Sequence, residues 1–471
     1  MEAPLLSILV PLFNEEEFVG EVLKRALDAP LPGGLTREII VVDDGSTDGC
    51  DHIVQAAAER HPGIIRLFRH QRNLGKGAAI RTAVGNARGQ YCLIQDADLE
   101  YDPNQYGRLL EPLLNGQADA VYGSRFMIVP GRRVLYHWAA RGDRKITKVC
   151  NRIGDLDLTD AGTGYKAFRT AVLAETPLYS DGFAFEVEIT IKLAKKGSRI
   201  VEVPVTYNRR AREEGRKLCR RDAFFMRLAA WRYAATGDLY KDSGARTLHA
   251  LTAAPRFNQW MADTIRPWVG KRVLEIGSGI GNLTSVLIQG RDDYMATDVN
   301  PEHMGRLRQR LMHRTNLRQK YCDLTAAKDF ASFQGQMDTV ICLNVLEHVE
   351  DDHGGLANIF SALAPGGHAI VLVPEGQSVY GAIDEALGHV RRYSEEELSS
   401  KMKQAGFHLE HMLKFNRVSR PAWFVSGRII KRDSLDWNQM RIYDRMVWLW
   451  RIIDRWLPWK PTSIIAIGRK P

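Results

Sequence analysis

Short apolar runs that stop abruptly in polar clusters, each followed by a helical pattern, recur along this 471-residue chain. Ser7 to Leu12 leads into Asn14-Glu15-Glu16-Glu17, a helix cap and first turn. Glu38 to Val42 ends in Asp43-Asp44-Gly45-Ser46-Thr47-Asp48-Gly49, and Tyr91-Cys92-Leu93-Ile94 runs into Gln95-Asp96-Ala97-Asp98-Leu99-Glu100. Strands alternating with helices over residues 1 to about 240 predict a mostly parallel, helix-covered sheet, an α/β fold. Ligands of such sheets bind at the carboxyl ends of strands, so the three clusters are expected to converge on one site. Asn73-Leu74-Gly75-Lys76-Gly77 opens another helix, whose first amides and Lys76 suit an anion.

Asp96 and Asp98 point the same way, because side chains alternate along an extended backbone. Paired carboxylates of this kind hold a hard divalent cation, which phosphate oxygens commonly complete. Each cluster also has a plain alternative. Asp-x-Asp can be a solvated acidic turn, Asp43 to Ser46 an ordinary turn, and Lys76 a surface lysine. Their joint order and spacing favour the functional reading.

The length suggests two or three domains. A net charge of +9 and a pI near 9.2 fit anionic partners such as nucleotides, lipid phosphates or membrane surfaces. Charge leaves nucleic acid open as a partner; none is expected from the motifs. The six cysteines are scattered, without a Cys-x-x-Cys pair, so a reduced protein without structural zinc is expected. The first residues enter a strand without a basic lead or cleavage site, so no signal peptide is expected. No run of about 18 apolar residues occurs.

Val10-Pro11-Leu12-Phe13-Asn14-Glu15, Val41-Val42-Asp43-Asp44-Gly45-Ser46, Asn73 to Gly77 and Asp96-Ala97-Asp98 together resemble a family 2 glycosyltransferase of the GT-A fold. Gly123-Ser124-Arg125, Thr159 to Lys166 and Val203 to Arg210 with Glu214 to Lys217 narrow the resemblance to the dolichol-phosphate mannosyltransferase type. The likeness covers nearly all of residues 5–235. It implies that Pro11, Phe13, Glu15, Val41 and Asp43 cradle the base and ribose of a GDP- or UDP-linked sugar, with Lys76 and Ala97 beside it. It places Asp96, Asp98 and Glu100 around Mg2+ or Mn2+ on the diphosphate. Arg125 would contact phosphate, while Arg210 and Lys217 would close over it. The family often has Tyr at Phe13 and Gln at Glu100, and it spaces Arg210 and Lys217 one residue closer. The implied acceptor is a dolichyl or undecaprenyl phosphate, attacked with inversion. An already ionised phosphate needs no strong general base.

Between Arg125 and Arg152 lie Arg132, Arg133, Arg141, Arg144, Lys145 and Lys148, opposed only by Asp143. This is either a solvated basic face or a dock for lipid phosphate, with Arg144 the candidate acceptor-phosphate ligand. Arg220 to Arg232 reads as a basic amphipathic helix suited to a membrane surface. The expectation is a peripheral protein at the cytoplasmic face, with room for a membrane-protein partner.

The pattern restarts after Gly237 to Gly244, so the boundaries read 1–240, a linker at 241–254, and a second domain at 255–471. Val273-Leu274-Glu275-Ile276-Gly277-Ser278-Gly279-Ile280-Gly281 is a glycine-rich turn between strand and helix, which alone could serve several nucleotides. Ala296-Thr297-Asp298 ends the next strand with an acid placed for ribose hydroxyls. Tyr321-Cys322-Asp323 and Asp338 to Val349 follow. The series resembles a class I S-adenosylmethionine-dependent methyltransferase with a Rossmann-like fold. Glu275, Gly277, Gly279 and Gly281 would hold the methionine end, Asp298 the ribose, Asp323 the adenine edge and Asn344 the substrate mouth. His348 reads as a structural or mouth residue, and Gly388 to Tyr393 as either anion recognition or a surface turn. Near 420–460, Trp437, Met440, Tyr443, Met446, Val447, Trp450, Ile453 and Leu457 fall at helical spacing beside four arginines. They suit core packing or an interfacial helix.

The expected whole is a bifunctional enzyme, transferring a sugar to a polyprenyl phosphate and a methyl group to an acceptor that can be a glycan. Two alternatives stand beside it. Both domains can act on a soluble or lipid-linked glycan in cell-envelope synthesis, or the first can be a docking scaffold for the second.

Overall fold

The computed structural model describes residues 5–127, 137–208 and 220–471. The chain forms two compact units, Met1–Lys241 and Asp242–Pro471, each built on its own seven-stranded sheet.

The first unit runs β1 (Leu5–Leu12), α1 (Glu16–Asp28), β2 (Thr36–Asp43), α2 (Cys50–Arg60), β3 (Ile65–Arg69), α3 (Lys76–Gly85) and β4 (Tyr91–Ile94). It continues through α4 (Tyr106–Leu114), β5 (Ala120–Ser124), α5 (His137–Gly154), β6 (Lys166–Arg169), α6 (Thr170–Ala174), α7 (Ala184–Lys196), β7 (Ile200–Pro204) and α8 (Arg220–Ala235). The sheet order is β3-β2-β1-β4-β6-β5-β7. β1 pairs with β2 and β4 in parallel, which brings their carboxyl ends to one edge. β6 is antiparallel to both β4 and β5, so the sheet is mixed. That reversal matters for function: the residues that enter β6 arrive beside the end of β4. Leu6, Ile8 and Val10 of β1 pack into one apolar layer and Leu9 into the other, as period-two burial on both faces of a covered sheet requires.

In α8, Met226, Ala230 and Tyr233 are buried, at spacing i, i+4, i+7. Phe225, Leu228 and Trp231 are exposed by 48%, 57% and 65%. The helix is therefore apolar on two faces, and one of them meets solvent.

The second unit opens with α9 (Ser243–Thr252) and α10 (Pro255–Ile265), so most of the stretch expected to be a linker is helix. Asp242 caps α9 through the Ala245 amide at 2.6 Å. Then follow β8 (Arg272–Ile276), α11 (Thr284–Leu287), β9 (Asp293–Asp298), α12 (Pro301–Arg310), β10 (Leu317–Tyr321), α13 (Ala327–Phe330), β11 (Met337–Leu343) and α14 (Asp352–Ala362). β12 (Leu363–Pro374), α15 (Ala382–Leu387), α16 (Glu395–Gln404), β13 (His408–Phe415), α17 (Arg420–Phe424), α18 (Trp437–Arg445), α19 (Val447–Ile453) and β14 (Ser463–Arg469) complete it. The order is β10-β9-β8-β11-β12-β14-β13, parallel except for β14, which runs antiparallel to both neighbours.

The aromatic stretch between β13 and β14 divides by face. Val447 is core, with Met440, Tyr443 and Trp450 packed against it. Ile442, Trp448, Ile452 and Trp456 are 64%, 61%, 52% and 73% exposed. Core packing and surface display, weighed as alternatives for this stretch, are both present on opposite faces.

No helix among the described residues is long and apolar enough to cross a membrane.

Candidate active sites

At the carboxyl edge of the first sheet the loops lock together through short polar bonds. The Asn14 amide donates to Ser46 Oγ at 3.0 Å, and the Thr47 amide donates to Asn14 Oδ1 at 2.9 Å. Asp43 is fully buried; its Oδ1 accepts from the Ser46 amide, and Arg69 Nε lies 3.1 Å from Oδ2. Asp44 accepts from the amides of Leu74 (2.9 Å) and Gly75 (2.6 Å) and faces His70 Nδ1 at 2.7 Å. It thereby holds the turn that begins α3, a role the sequence reading left unassigned. Pro11 and Phe13 are half-buried and Glu15 and Val41 buried around these loops.

Lys76, the first residue of α3, reaches Asp96 Oδ1 at 2.7 Å and Glu186 Oε1 at 3.3 Å. Burial pushes its ammonium down, but the Asp96 and Glu186 carboxylates outweigh burial and hold it well above the usual lysine range. Glu186 also pairs with Lys166, which is fully buried at the start of β6 and donates to the Thr163 (2.5 Å) and Ala161 (3.1 Å) carbonyls. A Cβ at Gly164 would lie 2.5 Å from Asp96 Oδ2 and 2.8 Å from Lys76 Nζ. A side chain at 164 would have to push this pair aside where the β6 entry closes over it.

Asp96, Asp98 and Glu100 lie just beyond the end of β4. Asp98 Oδ1 accepts from the Glu100 amide at 3.2 Å, with Leu99 between them at φ +57°. Glu100 Oε2 accepts from Tyr207 at 2.5 Å. Among the described residues, Asp96, Asp98 and Glu100 do not form a group with all ligand atoms within 4.8 Å. Glu100 is drawn to Tyr207 and behaves as a loop tie. Asp96 and Asp98 do fit a hard cation: their donors are carboxylate oxygens, and Lys76 already shows that Asp96 seeks positive charge.

Arg125 is held by Asp160 in a two-pronged pair, Nε to Oδ2 at 2.7 Å and Nη2 to Oδ1 at 2.8 Å, with Asp143 at 3.4 Å. Burial opposes its charge, yet Asp160 keeps the guanidinium raised well above its usual value. It stacks over Tyr207 at 5.2 Å. Arg144 lies over Phe126 at 5.3 Å, on the exposed basic face of α5 with Arg141, Lys145 and Lys148. Arg132, Arg133, Arg210 and Lys217 lie outside the described residues.

In the second unit the parallel strands β8, β9 and β11 again end at one edge. Gly277, Gly279 and Gly281 all have positive φ, +69°, +54° and +81°, the region glycine enters without strain. The Gly279 amide donates to Asp298 Oδ2 at 2.8 Å, and the Asn300 amide to Oδ1 at 2.8 Å. Despite burial, these bonds and His303 hold Asp298 below the usual carboxylate range. Leu248 of α9 lies 3.2 Å from where a Gly279 Cβ would stand, and its carbonyl accepts from Asn282 at 3.0 Å. The supposed linker thus covers the glycine turn. Asn344 is exposed at φ +54° just after β11.

Asp323 and Glu275 each engage one carboxylate oxygen within the protein. Asp323 Oδ1 accepts from the Thr325 amide and hydroxyl at 2.9 and 2.8 Å, capping its own turn. Glu275 is buried, and its Oε2 accepts from Thr284 at 2.6 Å and Tyr294 at 2.9 Å. Burial pushes its carboxyl up to about 7 despite both bonds. A raised acid pKa means that the folded state holds a proton which the unfolded chain has released. Stability of the second unit therefore falls as pH rises from about 4.5 to about 7, by up to ~3 kcal/mol from this group. Urea unfolding across that range should show the slope in the wild type and a flatter one in Glu275→Gln.

The family model for glycosyl transferase family 2 matches residues 7–176. Undecaprenyl-phosphate mannosyltransferase of Micrococcus luteus is 34% identical over 210 residues, covering 42% of this chain and 82% of that protein. This chain belongs to the family 2 glycosyltransferases. It is a fusion, because the family model for a methyltransferase domain matches residues 250–412. The fusion is also 32% identical over 217 residues to dolichol-phosphate mannosyltransferase of Pyrococcus furiosus, covering 45% of this chain and 58% of that protein. It spans 58%, 62% and 60% of the lengths of the first three curated relatives it matches. Among solved structures, N-methyltransferase NodS of Bradyrhizobium japonicum in complex with S-adenosyl-L-homocysteine aligns at 18% identity and TM-score 0.32, covering 46% of this chain and 86% of that chain.

Proposed function

We propose that the first unit transfers a sugar, with inversion, from a GDP- or UDP-linked donor to a polyprenyl phosphate. The second unit transfers a methyl group from S-adenosylmethionine, with a glycan as the proposed acceptor class. The observation that carries the reading is the meeting of Lys76, Asp96 and Gly164 at the end of β4, where the β6 entry packs against paired opposite charges. Asp96 and Asp98 would hold Mg2+ or Mn2+, which when bound neutralises charge on the donor diphosphate. Arg125, fixed by Asp160 and Tyr207, orients phosphate; the loops around buried Asp43 take the nucleoside. An ionised lipid phosphate attacks without a strong base. In the second unit, the Gly277–Gly281 turn, Asp298 and Asn344 form the proposed cofactor site.

The test is incubation of the full chain with radiolabelled GDP-mannose, UDP-glucose and related donors, polyprenyl phosphate, and Mg2+ or Mn2+. Label should move into the lipid; label in a sugar or protein acceptor instead would sink the lipid reading. Tritiated S-adenosylmethionine, added with the glycosylated product, tests the methyl transfer.

A peripheral place at the cytoplasmic membrane face is part of this proposal, and exposed Trp448 and Trp456 of the second unit, with arginines alongside, support membrane contact. The Trp448→Ser/Trp456→Ser double variant should bind anionic vesicles about tenfold or more weakly than wild type in sedimentation, since each buried tryptophan contributes a few kcal/mol at most. Unchanged sedimentation would exclude this face.

A further inference from the structure

We propose that Glu347, His348 and His389 of the second unit form a site for one divalent transition-metal ion of the zinc class. The site lies close to the glycine turn. A Cβ at Gly277 would strike Val345, so the residues just beyond, Leu346 to His348, sit beside that turn. Glu347 is fully buried, and neither carboxylate oxygen has a hydrogen-bond partner. A buried carboxylate without donors is costly, and either a bound proton or a nearby cation relieves it.

What faces it is a lone pair. His389 Nδ1 meets Asp384 Oδ1 at 2.8 Å, and Asp384 is itself held by Arg392 (2.9 and 3.1 Å) and by the Gly381 amide at 3.0 Å. With Nδ1–H given to Asp384, Nε2 is an acceptor, and it stands 3.9 Å from Glu347 Oε1. A shared proton or a metal ion satisfies both acceptors, and a second imidazole beside them suits a metal. The His348 ring lies edge-on to His389, with centroids 4.8 Å apart. Ligand atoms of all three residues lie within 4.8 Å of one another, and no other such group occurs among the described residues.

Two imidazoles and one carboxylate suit Zn2+, Co2+ or Fe2+ better than the all-oxygen preference of Mg2+. Bonds of about 2.0–2.2 Å place tetrahedral ligands about 3.3–3.5 Å apart, so the 3.9 Å gap closes with a contraction of about half an ångström. Asp384 is the outer carboxylate that metal-bound histidines commonly have, fixing tautomer and ring orientation. Neither the sugar-transfer nor the methyl-transfer reading is needed for this site.

The test uses the full chain, stripped with EDTA, dialysed, and titrated with Co2+ in excess Mg2+. One equivalent should bind with visible Co2+ absorption and be displaced by Zn2+. Glu347→Gln and His389→Gln should each weaken binding at least tenfold, and Asp384→Asn about tenfold or more through loosened His389. X-ray absorption of the Zn2+-loaded wild type, which depends on no variant folding, should show two imidazoles. Absence of stoichiometric Co2+ binding, wild-type affinity in both Glu347→Gln and His389→Gln, or a spectrum without imidazole would overturn the proposal.

Discussion

Asp98→Asn should lower sugar transfer about 10²–10³-fold, the range expected when one preorganised charge is lost from a phosphate-leaving site. The substitution removes charge while sparing the fold. Asparagine keeps an oxygen for the Glu100 amide, which Asp98 Oδ1 now receives at 3.2 Å, so the turn at Leu99 persists. Glu100→Gln should cost much less, under about tenfold, because Gln can still accept from Tyr207. Methyl transfer, carried by the other unit, should be unaffected in both. Steady-state assays with labelled donor settle the matter: unchanged transfer in Asp98→Asn would remove the carboxylate pair from the proposed chemistry.

Lys166→Met should destabilise the first unit by about 3–5 kcal/mol, the usual result of removing one partner of a buried ion pair. Lys166 is fully buried and Glu186 nearly so. Burial presses the Lys166 ammonium below the ordinary lysine range, against the pull of Glu186. Methionine fills the volume but leaves Glu186 with Lys76 alone at 3.3 Å and strands the Thr163 and Ala161 carbonyls. Sugar transfer should fall as well, since the same segment carries Asp160, the anchor of Arg125, and Gly164. The double variant Lys166→Met/Glu186→Leu should recover part of the stability, because an uncompensated buried charge is gone. It should not recover activity, because Lys76 then lacks one of its two carboxylates. Urea midpoints followed by fluorescence, with activity measured in parallel, distinguish the two effects. A loss below about 1 kcal/mol would mean that the pair is not buried in solution.

Much of this was legible in order and spacing. The runs Leu5–Leu12, Thr36–Asp43 and Tyr91–Ile94 are parallel strands, and their polar sequels do meet at one edge. Parallel pairing forces that outcome, since consecutive strands joined by helices all end on the same side. The glycine turn at 277–281 and Asp298 were legible for the same reason, and the structure joins them through a bond from the Gly279 amide. Glu100, Glu275 and Asp323 stood at motif positions too, and each holds a hydroxyl or amide through one carboxylate oxygen. Spacing along a chain shows where a carboxylate starts, not which donor it finds.

Sequence by itself determined the two nucleotide-type motifs and the alternation of strands and helices, because these depend on local periodicity and turn chemistry. Tertiary structure alone decided which distant groups share a charge. The antiparallel turn of β6 delivers Gly164 to Asp96, some 70 residues earlier in the chain, and pairs Lys166 with Glu186 of α7. It also set His389 against Glu347, and split the 437–457 aromatics into a packed face and an exposed one. Burial and pairing are properties of non-local contacts, and no local pattern encodes them.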